Sequence, residues 1–257
     1  MQKGLIINSI VPLRHDPDDR SEMESQLLFG DTFDILQKRN QWRFIRNDFD
    51  AYEGWIDEKS FIKISDEQTD QLLSATDFYV ADVVAYFKTE DGTKQYLPMG
   101  SRLPAYRSDS KSFRLNNDEY FIDTEVCAGR VDDEIFFRLI DRYRHAPYLW
   151  GGMTPFGIDC SGLTQMVYKI SGRYRLPRNA SQQAKHGKRI SFDERQPGDL
   201  AFFVNDEGHI HHVGIVWFDN GIIHAHGQVR LDDLEPDGIY NKSTGNHTHT
   251  LVLIKRL

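Results

Sequence analysis

Residues 157–172 read GIDCSGLTQMVYKISG, and the fold turns on how this stretch divides. Leu163, Met166, Val167 and Ile170 recur at the i, i+3, i+4, i+7 spacing of one helix face, and Gly172 supplies the stop. Cys160 therefore falls in the first turn or at the cap of a helix. Unpaired N–H groups and the helix dipole there favour an anion, which lowers a thiol pKa toward neutrality. Free cysteine is also among the most buried residue types. Helix position alone leaves Cys160 between a buried thiol and a nucleophile.

Upstream, DDEIFFRLIDRYRH (132–145) places Ile135, Phe136, Leu139, Ile140 and Tyr143 at helical spacing, with acidic residues opening it and basic ones closing it. Downstream, ASQQAKHG (180–187) reads as a third, polar helix, and PGDLAFFV, HHVGIVWF, GIIHAHG and TLVLIKRL read as strands. Helices first and antiparallel strands afterwards describe an α+β domain over 129–257. From Ser9 to Ile64 the pattern is instead one of short strands and turns. Phe33, Ile35 and Leu36 follow the break at Gly30-Asp31, and WRFIRNDFDAYEGWI (42–56) gives two more strands carrying Trp42 and Trp55. Close strands without a helical period predict a small barrel over 1–65. SDEQTDQLLSA (65–75) reads as a linker or short helix, and FYVADVVAYF, KQYLPMG, RLPAYR and EYFID predict a second barrel over 66–128.

With 39% hydrophobic and 27% charged residues in 257, the chain is of ordinary globular composition and long enough for two or three domains. A net charge of -8 without a basic cluster argues against nucleic acid or an anionic membrane as partner. The longest apolar runs, such as VADVVAYF, fall short of the roughly 20 residues that span a bilayer, so no membrane insertion is expected. Charges arrive too early at the amino terminus for a secretory core, and Cys127 and Cys160 make no disulfide framework. These features lead to an expectation of a cytoplasmic protein, or of a periplasmic or secreted one if a signal has been removed; the sequence leaves the oligomeric state open, with a monomer favoured.

A thiolate nucleophile needs an imidazole to hold its proton, and that imidazole needs a third group to fix its tautomer. His212, at the head of the apolar strand VGIVWF, suits the base, and His224, twelve residues on in a neighbouring strand, suits the orienter. A strict two-residue turn at Asn220-Gly221 would set these two on opposite faces of the hairpin, so a bulge or wider turn is expected, with His226 as orienter if the register is strict. The same histidines, with His209, His211 and Cys160, include zinc-ligand types. There is no H-E-x-x-H and no CxxC pair, so no metal and no cofactor are expected, and His209, His211 and His226 are read as surface or supporting residues. Cys127 reads as a buried bystander.

PYLWGG, GIDCSGLTQMVY, LPRNASQQ, QPGDLAFF and HHVGIVWFDNGIIHA, in this order, resemble the NlpC-type cysteine peptidases, which cleave bacterial cell-wall peptides. The resemblance covers about residues 130 to 257 and implies a papain-like domain with Cys160 as nucleophile, His212 as base and His224 as third member. It also implies that the Tyr148 hydroxyl works with the Cys160 N–H at the oxyanion, and that Trp150, Asp159 and Ser161 line the substrate; otherwise Tyr148 and Trp150 are core aromatics and Asp159 and Ser161 are helix caps. SEMESQLLFGD and AYEGWI resemble bacterial SH3-like barrels, most closely those fused to this peptidase in enzymes that release L-Ala-γ-D-Glu from murein peptides with a free amino terminus. Glu22 and Tyr52 match the positions that hold the substrate amine there; the alternative is a solvated Glu22 and a Tyr52 packed on Trp55. The implied partner is a murein peptide and the implied reaction is hydrolysis of the γ-D-glutamyl–diamino-acid bond. A wall-binding module with altered peptidase activity, or an amidase or acyltransferase on the same scaffold, are the other readings. One departure stands out: after Pro177-Arg178 those enzymes carry Asp-Ser, whereas this chain carries Asn179-Ala180, an amide that offers no charge to a substrate ammonium.

Overall fold

The computed structural model describes residues 2–115 and 118–257. They divide into two compact units, one of 1–135 with 170–172 and one of 136–169 with 173–257. In the first unit, strands β1 (Gln2–Ile6), β2 (Ile10–Arg14), β3 (Met23–Leu28), β4 (Thr32–Arg39), β5 (Trp42–Asn47), β6 (Glu53–Asp57) and β7 (Phe61–Ile64) form one antiparallel sheet in the order β3-β2-β6-β5-β4-β1-β7. Alternate residues such as Val11 and Leu13, with Leu27, Phe33, Ile45 and Ile56, face one apolar core. The polar stretch after it is helix α1 (Asp66–Ser74), started by a reciprocal pair in which Ser65 Oγ accepts from the Gln68 N–H and the Gln68 side chain accepts from the Ser65 N–H.

Strands β8 (Phe78–Val80), β9 (Val84–Lys88), β10 (Lys94–Pro98), β11 (Ser112–Leu115), β12 (Asp118–Phe121) and β13 (Val126–Ala128) then pair as three two-stranded ladders, β8 with β13, β9 with β10 and β11 with β12. Phe29, Phe87 and Phe113 pack ring against ring at their centre, at centroid distances of 5.1–5.7 Å. RLPAYR, read above as a strand, is not one: Arg102 and Arg107 make single bridges only. Pro104 has no N–H to give a ladder, and Ala105 turns at φ 48°. Cys127 is buried in β13, and neither cysteine forms a disulfide.

Helix α2 (Asp133–Asp141) is capped by Asp132, whose Oδ1 accepts the Ile135 N–H at 2.9 Å. It buries Phe136, Leu139 and Ile140. The short ladder β14 (Met153–Thr154) and β15 (Gly157–Ile158) precedes helix α3 (Cys160–Ile170). The apolar stripe of α3 is buried, but so is its other side, with Thr164, Gln165 and Lys169 inside. Helix α4 is only Ala180–Gln183, shorter than ASQQAKHG suggested, because Lys185 and His186 turn more tightly onto Gln182 and Gln183 and Gly187 follows at φ 73°.

The remaining strands are β16 (Lys188–Ile190), β17 (Leu200–Val204), β18 (Ile210–Val216), β19 (Gly221–His226), β20 (Gln228–Glu235), β21 (Gly238–Asn241) and β22 (Asn246–Arg256). They run β16-β22-β17-β18-β19-β20-β21, and β21 also pairs with β22, so the six strands β17 to β22 close on themselves. Ala201, Phe203, Val216, Ile222, Leu234, Ile239 and Ile254 fill the interior. Among the described residues, no helix is long and apolar enough to cross a membrane.

Candidate active site

The hairpin of β18 and β19 decides whether the two histidines meet. Gly214 pairs with His224 and Val216 with Ile222, closed by a three-residue turn in which Asp219 and Asn220 take φ of 52° and 60°. This is the wider turn expected above. Direct opposition does not occur. His212 stands diagonal to His224, two residues from Gly214, and the period of two puts both on one face. That face is the barrel interior, since His212 pairs with Phe203 and His224 lies two residues from Ile222, both part of the inner core. Gly214 keeps the diagonal open: a Cβ there would lie 3.0 Å from His224 Cβ and 2.7 Å from Ile222 Cδ1.

Across this gap, His212 Nε2 and His224 Nδ1 are 2.9 Å apart with rings at 87°. His224 Nε2 in turn lies 3.1 Å from Asp232 Oδ2 on β20. Arg230 closes the row, with Nε 2.7 Å from Asp232 Oδ2 and Nη2 donating to Oδ1 at 2.9 Å. His249, on β22, stacks on His212 at 4.2 Å between centroids. Neither Asp232 nor His249 was among the residues singled out from sequence. The His-rich face could have flagged His249; nothing in QVRLDDLE marks Asp232.

Cys160 begins α3, and its Sγ lies 4.0 Å from the His211 carbonyl oxygen, against the backbone that carries His212. The Val213 and Ser161 N–H groups favour the sulfur anion, but burial outweighs them and, with the neighbouring Asp159 carboxylate, pushes the thiol up to about 12. This reverses the lowered thiol pKa expected from helix position: the dipole acts here on a group that has lost its water. Burial likewise holds His212 well below the usual imidazole range, and lowers His224 despite its bond to Asp232. At neutral pH Cys160 rests as a thiol and His212 as a neutral base.

Asp159 is closed off. Its Oδ1 accepts the Gly162 N–H at 2.7 Å, capping α3, its Oδ2 accepts the Gly151 N–H at 2.9 Å, and Arg178 donates to both oxygens. Arg178 also donates to Ser161 Oγ at 2.9 Å. Asp159, Ser161 and Arg178 are all buried, and Asp159 makes the contact of a helix cap. Gly162 permits the packing, since a Cβ there would meet Gly152 O at 2.4 Å. The loop it receives carries Tyr148, Leu149, Trp150 and Phe156, all exposed. Tyr148 is 38% exposed and its phenol is pushed up to about 12, by burial first and then by Cys160 and Asp159. Asn179 is exposed at the start of α4, its N–H bonded to Gln182 Oε1 at 3.3 Å.

Glu22 and Tyr52 belong to the other unit. Glu22 is exposed, and its carbonyl accepts the His15 N–H. Tyr52 packs on the core of the seven-stranded sheet, whereas Trp55 packs on Phe44. His209, His211 and His226 are exposed. His212, His224 and His249 each bring a ring nitrogen within 4.8 Å of the others, a donor set that zinc accepts. His212 and His224 already share a hydrogen bond, and the 28° stack of His212 on His249 runs their in-plane lone pairs side by side instead of converging.

A cysteine at a helix start, against a strand that presents a hydrogen-bonded histidine pair, matches what comparison finds. The NlpC/P60 family model matches residues 145–248, and the bacterial dipeptidyl-peptidase Sh3 domain matches 13–61. A probable endopeptidase of Haemophilus influenzae is 32% identical over 117 residues, covering 43% of this chain and 71% of its own. The chain belongs to the NlpC/P60 family. It is thereby a member of a cysteine peptidase family, with an SH3-like amino-terminal part and a papain-like carboxy-terminal domain. The gamma-D-glutamyl-L-lysine dipeptidyl-peptidase of Bacillus subtilis is 28% identical over 219 residues, 79% of this chain and 72% of its own. The crystal structure of an NlpC/P60 family protein from Bacillus cereus shares the fold over 99% of both chains, with a TM-score of 0.84 at 21% identity.

Proposed function

We propose that this chain is a cysteine endopeptidase that hydrolyses the γ-D-glutamyl–diamino-acid bond of murein peptides, acting on soluble fragments with a free amino-terminal L-Ala. The observation that carries the reading is the 2.9 Å bond from His212 to His224, on the strand whose His211 carbonyl lies 4.0 Å from the Cys160 sulfur. His212 takes the Cys160 proton as the sulfur attacks the γ-carbonyl, and the oxyanion is met by the Cys160 N–H and the Tyr148 hydroxyl. Collapse expels the diamino acid's amine, protonated by His212, and leaves a thioester. Water, deprotonated by His212, releases L-Ala-γ-D-Glu. The named activity of the Bacillus subtilis relative supports the bond chosen.

Cys160→Ala should fold and should lose turnover of L-Ala-γ-D-Glu-diaminopimelate by at least the ~10²–10⁴-fold of general-base loss, since nucleophile and base act as one unit. Mass spectrometry of products from a panel of free and crosslinked muropeptides checks it. Retained turnover in Cys160→Ala sinks the mechanism, and cleavage at another bond sinks the specificity.

A further inference from the structure

The half-buried Arg230 ends a row that runs through the buried Asp232 and His224 to His212. An ionised carboxylate only accepts hydrogen bonds. Asp232 is an ion-pair partner of Arg230 and is held below the usual carboxylate range, mainly through its bonds to His224 and Arg230 acting against burial. The proton in the 3.1 Å contact must therefore sit on His224 Nε2. A neutral imidazole with its proton on Nε2 offers only a lone pair at Nδ1. The 2.9 Å contact from that Nδ1 to His212 Nε2 then needs its proton on His212. That leaves His212 Nδ1 as a bare lone pair, the one state in which the ring can accept a proton from a thiol.

The geometry points to Asp232 as a positioning residue that, through His224, fixes His212 in its Nε2–H tautomer and so makes it a base. The inference rests on the assignment of Cys160 and His212 above, but the tautomer itself does not. Removing the acceptor frees His224 to protonate at Nδ1 and donate to His212 Nε2. His212 is then driven to carry its proton at Nδ1, where it cannot act. The Arg230 contacts sharpen the consequence. Arg230 Nη2 donates to Asp232 Oδ1, its Nε lies 2.7 Å from Oδ2 as an ion-pair contact, and His224 donates at Oδ2. In Asp232→Asn the amide NH2 meets one donor at the Oδ1 position, against the His224 donor and the guanidinium charge 2.7 Å away at Oδ2, so the amide oxygen stays toward His224 and the tautomer survives.

The test is ¹⁵N NMR of the imidazole nitrogens with steady-state kinetics on the full chain. The wild type should show both His212 and His224 protonated at Nε2 and bare at Nδ1. Asp232→Ala should move the His212 proton to Nδ1 and lower kcat by roughly 100-fold or more, with KM little changed, since base catalysis contributes ~10²–10⁴-fold. Asp232→Asn should keep the wild-type tautomers and recover most of kcat. A wild-type His212 protonated at Nδ1 overturns the inference even if Asp232→Ala does not fold. Equal kcat losses in the Ala and Asn variants, with tautomers unchanged, overturn it too and leave Asp232 as packing. If the wild type cleaves no murein peptide, the proposed reaction fails while the tautomer measurement still decides this point.

Discussion

The two units treat buried charge differently. In the amino-terminal unit, Arg43 and Arg102 are buried, but their partners Glu58 and Asp77 keep 46% and 47% of their side chains in water. In the carboxy-terminal unit, Arg178 and Asp159 are closed on both sides, at 2% and 5% exposure, and so are His224 and Asp232, at 0% and 3%. Water can stand in for a lost partner in the first case and cannot in the second. Pairs closed on both sides hold geometry rather than add stability, because the desolvation penalty offsets much of the attraction. Here both closed pairs flank the reacting groups: Asp159 starts the helix of Cys160, and Asp232 ends the row from His212.

The largest effect on stability should come from opening one of these pairs. Arg178→Met leaves the buried Asp159 carboxyl without its charge partner, with only N–H groups and the Ser161 hydroxyl as donors, which should destabilise the fold by about 3–5 kcal/mol. Arg46→Met, which opens the exposed pair with Glu53, should change stability by about 1 kcal/mol or less. Urea midpoints of the two variants measure the contrast, and similar losses would erase it. The double variant Asp159→Asn, Arg178→Met should recover part of the Arg178→Met loss, since no buried charge is then left alone.

A smaller difference appears in the pH dependence. His212 and His224 have folded pKa values below their unfolded values, and burial lowers His249 to about 3. Below pH about 6.5 the unfolded chain binds protons at these rings that the fold does not, so stability is full above that pH and is lost as pH falls. His15, in the other unit, shifts the opposite way through Glu24, but it is fully exposed and contributes no comparable slope. Tm should fall from pH 7 to pH 5, and His249→Phe should flatten the slope. A Tm that holds or rises on acidification contradicts this reading.

What the sequence made legible follows the same division. The stripe Leu163, Met166, Val167 and Ile170 announced α3 because burial there uses apolar residues at a helical period. His212 and His224 were readable because each sits in a strand whose other residues, His211 and His226 apart, are apolar. Strand β20 was not read, since it inverts the usual pattern: Leu231 is 39% exposed while Asp232 faces inward. Arg178 after Pro177 likewise reads as a surface cation, yet it is among the largest fully buried side chains. A polar residue buried for a partner distant in sequence has no local periodicity to betray it. The lowered thiol pKa failed for a related reason, because a helix start seen in sequence does not reveal whether water reaches it.

The smallest effect sits where the closed network meets the surface. Arg178 is sealed and the next residue, Asn179, is exposed. Asp159 is saturated by Arg178, Gly151 and Gly162, so it does not supply the charge that Asn179 lacks. Asn179→Asp should therefore leave stability nearly unchanged while adding a charge that a substrate ammonium can meet. Charge-assisted hydrogen bonds exceed neutral ones by roughly 1 kcal/mol, so KM for L-Ala-γ-D-Glu-diaminopimelate should fall by about 5–10-fold. The amino-acetylated peptide lacks the ammonium and should show no gain. Equal changes for the two peptides would mean that Asn179 does not face the substrate amine, and no change for either would mean that position 179 has no part in anchoring it. A fall in KM for the free amine alone would show that the exposed edge, unlike the closed pairs behind it, carries specificity without carrying the fold.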